Sequence, residues 1–177
     1  MEKNALAWKR FFVFLIIGLL PFFAIFATYI INPDIFYSGF LFEATHSADV
    51  NISSNNVFLS QVLGMYCRVA LPLAIAFVVF YGKYISLSKS DVSFSHYLVR
   101  LFLFGAFCAI YTYVTAFCRL DLVNGNRLLK NIASNDYLTL SYYLAIFSGI
   151  YIFISLLLLL VLKLPEAYKK ASTTHSS

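Results

Sequence analysis

The sequence predicts an all-α, polytopic membrane protein in which four transmembrane helices form a bundle. The chain is 61% hydrophobic and only 12% charged, whereas a soluble domain has about 45–50% apolar and about 25% charged residues. So few charges cannot coat a globule in water, and the lipid bilayer is therefore the expected solvent. The basic residues lie in small groups between long uncharged runs and form no continuous basic face, so nucleic acid is not an expected partner.

Four apolar runs define the expected spans within a single membrane domain, residues 1–177. The predicted spans are residues 11–31, 57–82, 101–118 and 137–162. Residues 11–31 contain no charge and would cover about 30 Å as a helix, which is the thickness of the hydrocarbon core. That run is too long for the apolar region of a signal peptide, about 7–15 residues, so a retained helix is expected. Pro21 and Pro72 predict kinks, and residues 171–177 are expected to be a disordered tail.

The distribution of lysine and arginine predicts that both termini are cytoplasmic. The N-terminal segment, the second loop, the third loop and the tail carry three basic residues each, and the first loop carries none. A cytoplasmic N-terminus places nine of them inside and three outside, and the reverse orientation inverts that ratio. The third loop is the exception, because this orientation puts its three basic residues outside the membrane.

The spans lack the groups that membrane enzymes and transporters use. No predicted span contains Asp, Glu or His, although proton relays and ion-coupled transporters normally carry such residues within the bilayer. Cys67, Cys108 and Cys118 have no paired spacing of the zinc or redox kind. No enzymatic activity, cofactor or metal is therefore expected. The cysteines are expected to be small buried side chains, and a Cys67–Cys118 bridge is the less favoured alternative.

Arg68 is the one ionisable residue inside a predicted span. About 20 Å of helix separates it from the inner flank, which puts it about a third of the way in from the outer face. One interpretation is a side chain that extends to the outer headgroups. The other is a buried cation paired with a carboxylate, either of a partner or of Asp34, Asp121 or Asp136 in this chain.

Small residues recur at four-residue spacing and predict close helix packing. The candidates are Ser141, Ala145 and Gly149 in the fourth span, with Gly105 and Ala109 in the third. Most are expected to pack within the bundle, and the remainder could receive a helix from another protein.

Three dispersed segments carry a resemblance to a known family. They are residues 16–21 (IIGLLP), residues 65–68 (MYCR) followed by Ala70 and Pro72, and residues 133–136 (ASND). In these segments, in their order and in its four spans, the chain resembles the immunity proteins to pore-forming colicins, of the four-span colicin A type. The resemblance implies a protein of the bacterial inner membrane, made by a cell that carries the matching colicin plasmid. It further implies binding of the toxin's channel-forming domain in the bilayer, a block of voltage-driven opening, and cytoplasmic termini.

The candidate toxin-binding residues lie in these segments and in the third loop. They are Tyr66, Arg68, Arg119, Asp121, Arg127, Lys130, Asn135 and Asp136. The basic residues of the third loop gain nothing for topology, so packing, lipid headgroups and a ligand remain as explanations. The alternative function is a small structural or assembly subunit of a larger membrane complex, which also needs no catalytic group. The sequence of residues 34–56 departs from the family, so the cognate colicin stays open.

Overall fold

A computed structural model describes residues 2–32, 50–53, 56–85 and 94–174, and these residues are almost entirely helical. The helices are α1 (Glu2–Ile31), α2 (Val57–Cys67), α3 (Ala70–Tyr81), α4 (Phe94–Ala116), α5 (Arg127–Ala133) and α6 (Asp136–Thr174). Short 3-10 turns follow α3 at Gly82–Tyr84 and precede α5 at Leu122–Asn124. Within this described part of the chain no strand forms, and the all-α prediction is confirmed.

Four helical segments are long and apolar enough to cross a membrane, as the sequence predicted. By length and composition they are Lys3–Ile31, Val57–Tyr84, Phe94–Ala116 and Asp136–Glu166. Helices α1 and α6 extend beyond their apolar runs into segments that contain lysine, glutamate and alanine, which are good helix formers. Helix α4 also begins before its apolar run, at Phe94. Residues 171–174 still belong to α6. Residues 175–177 lie outside the described residues, and a disordered tail stays a prediction.

Helix α6 is the element against which the others pack. It contacts α3 and α4 most extensively, and also α1, α2 and α5. At the centre, the ring of Tyr66 stacks on Phe147 with centroids 5.7 Å apart and an interplanar angle of 6°. The Phe22 ring forms edge-to-face pairs with both rings, and its centroid lies 4.9 Å from that of Tyr66 and 5.3 Å from that of Phe147. Edge-to-face pairs of this kind add to the stabilisation that burial alone gives.

Glycines allow the closest approaches between these helices. A methyl group added to Gly18 of α1 would lie 2.6 Å from Leu73 of α3 and 2.7 Å from Phe147 of α6. One added to Gly149 would lie 3.0 Å from the Tyr111 ring carbon Cζ of α4. The predicted small-residue stripes are only partly used, since Ser141, Ala145 and Ala109 are exposed. Gly105 is half-buried, and a methyl group there would make an ordinary contact at 3.6 Å.

The three cysteines are free thiols, so the bridge between Cys67 and Cys118 is not formed. Cys67 and Cys108 are buried, as expected, and Cys118 is partly exposed. The Cys67 thiol lies 3.5 Å from the carbonyl oxygen of Tyr143, to which it donates.

Candidate functional site

The connections before α2 and before α5 meet at one end of the helices. The Ile52 amide donates to the Leu120 carbonyl at 2.9 Å, and the Leu122 amide donates to the Ile52 carbonyl at 2.8 Å. The Ser53 hydroxyl donates to the carbonyl of Ala133 at 3.1 Å. The chain segments that the sequence assigns to the first and third loops are therefore joined into one surface.

Asn51 is buried beneath this surface and holds it in place through hydrogen bonds. Its side chain is only 2% exposed, and its amide nitrogen donates to the Thr115 carbonyl and to the Tyr142 hydroxyl, both at 3.4 Å. The Tyr143 hydroxyl donates to the Asn51 carbonyl. Buried polar groups are costly unless they are paired, and these bonds pair the side-chain nitrogen and the backbone carbonyl of Asn51, although its Oδ1 is buried without a partner among the described residues. These bonds therefore hold the irregular segment 50–53 in a defined position against the helix ends.

Arg68 lies at a break between α2 and α3, and Pro72 explains the break. A proline has no N–H, so Pro72 cannot donate to the Arg68 carbonyl as the next helical turn would require. The Leu71 amide donates to that carbonyl instead, at 3.2 Å. Arg68 and Val69 accordingly adopt dihedral angles near those of a 3-10 helix, φ −64°, ψ −24° and φ −65°, ψ −20°.

The Arg68 guanidinium reaches across to the end of α4. Its Nε donates to the Ala116 carbonyl at 3.0 Å, and its Cζ lies 4.8 Å from the centroid of the Phe117 ring. Ala116 is the last residue of α4, where helical carbonyls lack intrahelical donors and carry partial negative charge. The sequence suggests headgroups or a carboxylate of Asp34, Asp121 or Asp136 as partners for Arg68, and Asp34 lies outside the described residues. The sequence did not indicate that the guanidinium would cap a helix and lie over an aromatic ring.

The third loop presents basic groups beside an open pocket. Arg119, Arg127 and Lys130 are exposed. A pocket of about 310 Å³ is lined by Arg119, Leu120, Asp121, Leu122, Asn124, Gly125, Leu129 and Tyr142. The Asp121 carboxylate shapes the pocket wall, because it accepts from the Val123 amide at 3.0 Å and from the Asn124 side chain at 3.3 Å. The pocket therefore combines a cation, a carboxylate and a phenol with an apolar wall.

Helix α5 extends the basic surface from this pocket. The Asn126 side chain caps it by accepting from the Leu129 amide at 3.0 Å. Arg127 and Lys130 are three positions apart and so project on the same side of the helix. Leu128 between them is 63% exposed. The short helix thus shows both cationic and apolar groups to its surroundings.

Asn135 and Asp136 have structural roles at the start of α6. The Asn135 side chain accepts from the Tyr137 and Leu138 amides at 2.9 and 3.3 Å, which is an N-cap. Asp136 lies in the first helical turn, where a carboxylate interacts favourably with the helix dipole. It also accepts from the Asn56 side chain, which donates in addition to the Tyr29 hydroxyl at 2.8 Å. Asn56, at the start of α2, thus joins the ends of α1 and α6.

The candidate residues therefore separate into two groups. Arg119, Arg127 and Lys130 are exposed and available to a partner. Tyr66 belongs to the aromatic core, where its hydroxyl donates to the Gly18 carbonyl at 3.1 Å. Across the part of the chain that the structure describes, no cluster of metal-ligating side chains forms.

Comparison with known proteins identifies the family. The model of the colicin immunity protein family matches residues 41–170, well over half of the chain. The chain belongs to the colicin immunity protein family. The chain is also 26% identical to the colicin-A immunity protein of Citrobacter freundii. The match extends over 148 residues, which is 84% of this chain and 83% of that protein. The resemblance that the three sequence segments indicated is thereby confirmed, and no solved structure matches the chain.

Sequence reasoning missed the residues that assemble the surface. Asn51 and Ser53 lie in a polar stretch with no periodic pattern, and only the fold brings them to Thr115 and Ala133. Gly18 belongs to a segment quoted for the family resemblance, yet its packing role depends on Leu73 and Phe147. No local signal in the sequence indicates such contacts between distant residues.

Proposed function

We propose that this immunity protein protects a bacterial cell by binding the channel-forming domain of a cognate pore-forming colicin in the inner membrane, and by blocking channel opening. The observation that carries the proposal is the joint occurrence of family membership and four apolar helices long enough to span a bilayer. A protein embedded in lipid meets a toxin only where that toxin enters the membrane. Pore formation is the toxic action that takes place there.

The proposed arrangement is a four-helix bundle with both termini in the cytoplasm. The nine-to-three distribution of basic residues supports this orientation. The pairing of Ile52 with Leu120 and Leu122 supports the four crossings, which require the first and third loops to lie on one side in either orientation. The surface formed by residues 50–53 and 117–135 then faces the periplasm, the side from which the toxin arrives.

The block must oppose the driving force of the membrane potential. One elementary charge that crosses 100 mV releases about 2.3 kcal/mol, so a toxin that moves several charges gains several times that amount. Contacts between helices in the bilayer supply the general affinity, since exposed small residues such as Ser141 and Ala145 allow close approach of a foreign helix.

The third loop with its flanks, residues 119–136, selects the toxin in this proposal. Arg119, Arg127 and Lys130 are exposed there beside the pocket. Complementary charge contributes more to discrimination between partners than to affinity. An acidic patch on the inserted channel domain is the matching surface.

The test is survival of sensitive bacteria that express this chain alone, challenged with a panel of pore-forming colicins. We expect protection against one colicin or a few close relatives, and none against nuclease colicins that kill in the cytoplasm. A subunit of a larger membrane complex would protect against none of them. Absence of protection across the panel, with the chain present in the membrane fraction, would therefore favour that alternative function.

A further inference from the structure

We propose that Arg68 is a positioning residue: it fixes the start of the third loop by capping α4, and it does not act as a direct charge contact for the toxin. The consequence for protection rests on the proposed function. The positional claim rests on geometry alone and can be tested separately.

Arg68 attaches to the junction between α4 and the third loop. Its Nε bonds to the carbonyl of Ala116 and its guanidinium lies over Phe117, so two successive residues at the junction between α4 and the loop are held by one side chain. The bond joins a charged donor to a helix-terminal carbonyl, and a bond of this kind is stronger than a bond between neutral groups. Arg68 itself sits at the Pro72-induced break, where the chain departs from α-helical geometry.

This attachment positions the first residues of the third loop. A few residues beyond Phe117, the loop is fixed again where Leu120 and Leu122 pair with Ile52. Cys118 and Arg119 lie between these two attachments, and Arg119 lines the pocket. Loss of the first attachment would leave the Phe117 amide bonded to the Tyr113 carbonyl in the last turn of α4. It would remove the contacts that Arg68 makes with Ala116 and Phe117, so the position of Arg119 in the pocket wall would be less closely defined.

The substitution Arg68→Lys distinguishes a role of the guanidinium geometry from a role of the positive charge. A lysine at position 68 would keep the positive charge but would lack the planar guanidinium and its Nε donor. An ammonium also does not stack on an aromatic ring as a guanidinium does. A direct electrostatic role would tolerate Arg68→Lys. A positioning role requires the guanidinium, and in that case Arg68→Lys should behave like Arg68→Leu.

The native Cys118 offers a reporter for this claim, because it is partly exposed while Cys67 and Cys108 are buried. The experiment measures the rate at which a maleimide reacts with Cys118 in vesicles opened to the reagent on both faces, so that orientation does not affect the result. The variants are Arg68→Leu and Arg68→Lys, and a Cys118→Ala chain shows the background. Arg100→Leu is the matched control, since Arg100 is an exposed arginine near the other end of α4.

We expect Cys118 to react about tenfold faster in both Arg68 variants, the order by which loss of one bond to a charged group shifts a local opening equilibrium. Arg100→Leu should leave the rate unchanged. Both Arg68 variants should also lose protection. An unchanged rate in Arg68→Leu, or full protection by Arg68→Lys, would overturn the inference.

Two further outcomes remain decisive. If Arg68→Leu fails to insert, Arg68→Lys keeps the charge and carries the test by the same two readouts. If the wild-type chain protects against no colicin, the proposed function fails, while the labelling rates still decide whether Arg68 positions the loop.

Discussion

The packing around Gly18 makes a quantitative prediction, in which Gly18→Ala destabilises the protein and Gly105→Ala does not. Both glycines lie within helices that could span the membrane. A methyl group at Gly18 would lie 2.6 Å from Leu73 and 2.7 and 2.9 Å from two ring atoms of Phe147. The Phe147 ring is fully buried and held by Tyr66 and Phe22, so it cannot move aside cheaply. Forcing an extra methylene into such a core costs about 1–3 kcal/mol.

The comparison of the two variants isolates this packing cost. Replacing a helical glycine by alanine favours the helix by roughly 0.5–1 kcal/mol in either place, so that contribution cancels in the difference. At Gly105 the added methyl group meets only Leu157, at an ordinary 3.6 Å. We therefore expect Gly18→Ala to be about 1–3 kcal/mol less stable than Gly105→Ala, a ratio of roughly 5–150 in the unfolding equilibrium.

The assay is reversible unfolding of the purified protein in mixed detergent micelles, with increasing denaturing detergent, followed by circular dichroism and tyrosine fluorescence. Equal midpoints for the two alanine variants would refute the close approach of α1 to α3 and α6. A lower midpoint for Gly105→Ala than for Gly18→Ala would refute it more strongly.

The remaining predictions concern the start of α6 and the orientation. Asn135→Ala should lower the free energy of unfolding by about 1 kcal/mol in the same assay, because the Tyr137 and Leu138 amides lose their cap; Asn131→Ala, at an exposed position nearby, should have little effect. Reporter fusions after Asn51 and Asn126 should read as periplasmic and one after Ser88 as cytoplasmic. A cytoplasmic signal at Asn51 would contradict the proposed topology.

The fold class was predictable because lipid imposes a simple requirement on sequence. A spanning helix needs about 20 apolar residues, and residues 11–31 and 137–162 meet that requirement without a single charge. Helix ends were predicted less well, since α6 continues through Lys163 and Pro165 to Thr174. A proline lacks the N–H that a helix interior uses, so local propensity did not indicate that α6 would continue beyond Pro165.

The candidate surface was predictable only in part. The exposed positions of Arg119, Arg127 and Lys130 agree with an inference from charge, since topology alone did not explain three basic residues in that loop. The bond from Arg68 to Ala116 could not be predicted, because Ala116 lies 48 residues away and offers only a backbone carbonyl. Backbone partners leave no mark in the side-chain sequence, and the same is true of Ile52 with Leu120.

The capping role of Asn135 illustrates a limit of reasoning from resemblance. A segment shared with a family suggests function, but Asn135 caps its own helix and Asp136 accepts from Asn56, which also bonds to Tyr29. The exposed basic residues near them are better candidates for toxin contact.

The most direct test of the central claim is potassium efflux from lipid vesicles that contain only this purified protein. A cognate colicin is added on the side of the membrane on which residues 50–53 and 117–135 lie, and a potential negative on the opposite side is applied. The account predicts that efflux through the cognate toxin's channels is suppressed, while a non-cognate pore-forming colicin still releases potassium from the same vesicles. Equal efflux with and without the protein, for every colicin against which the chain protects cells, would contradict a block of the channel in the membrane.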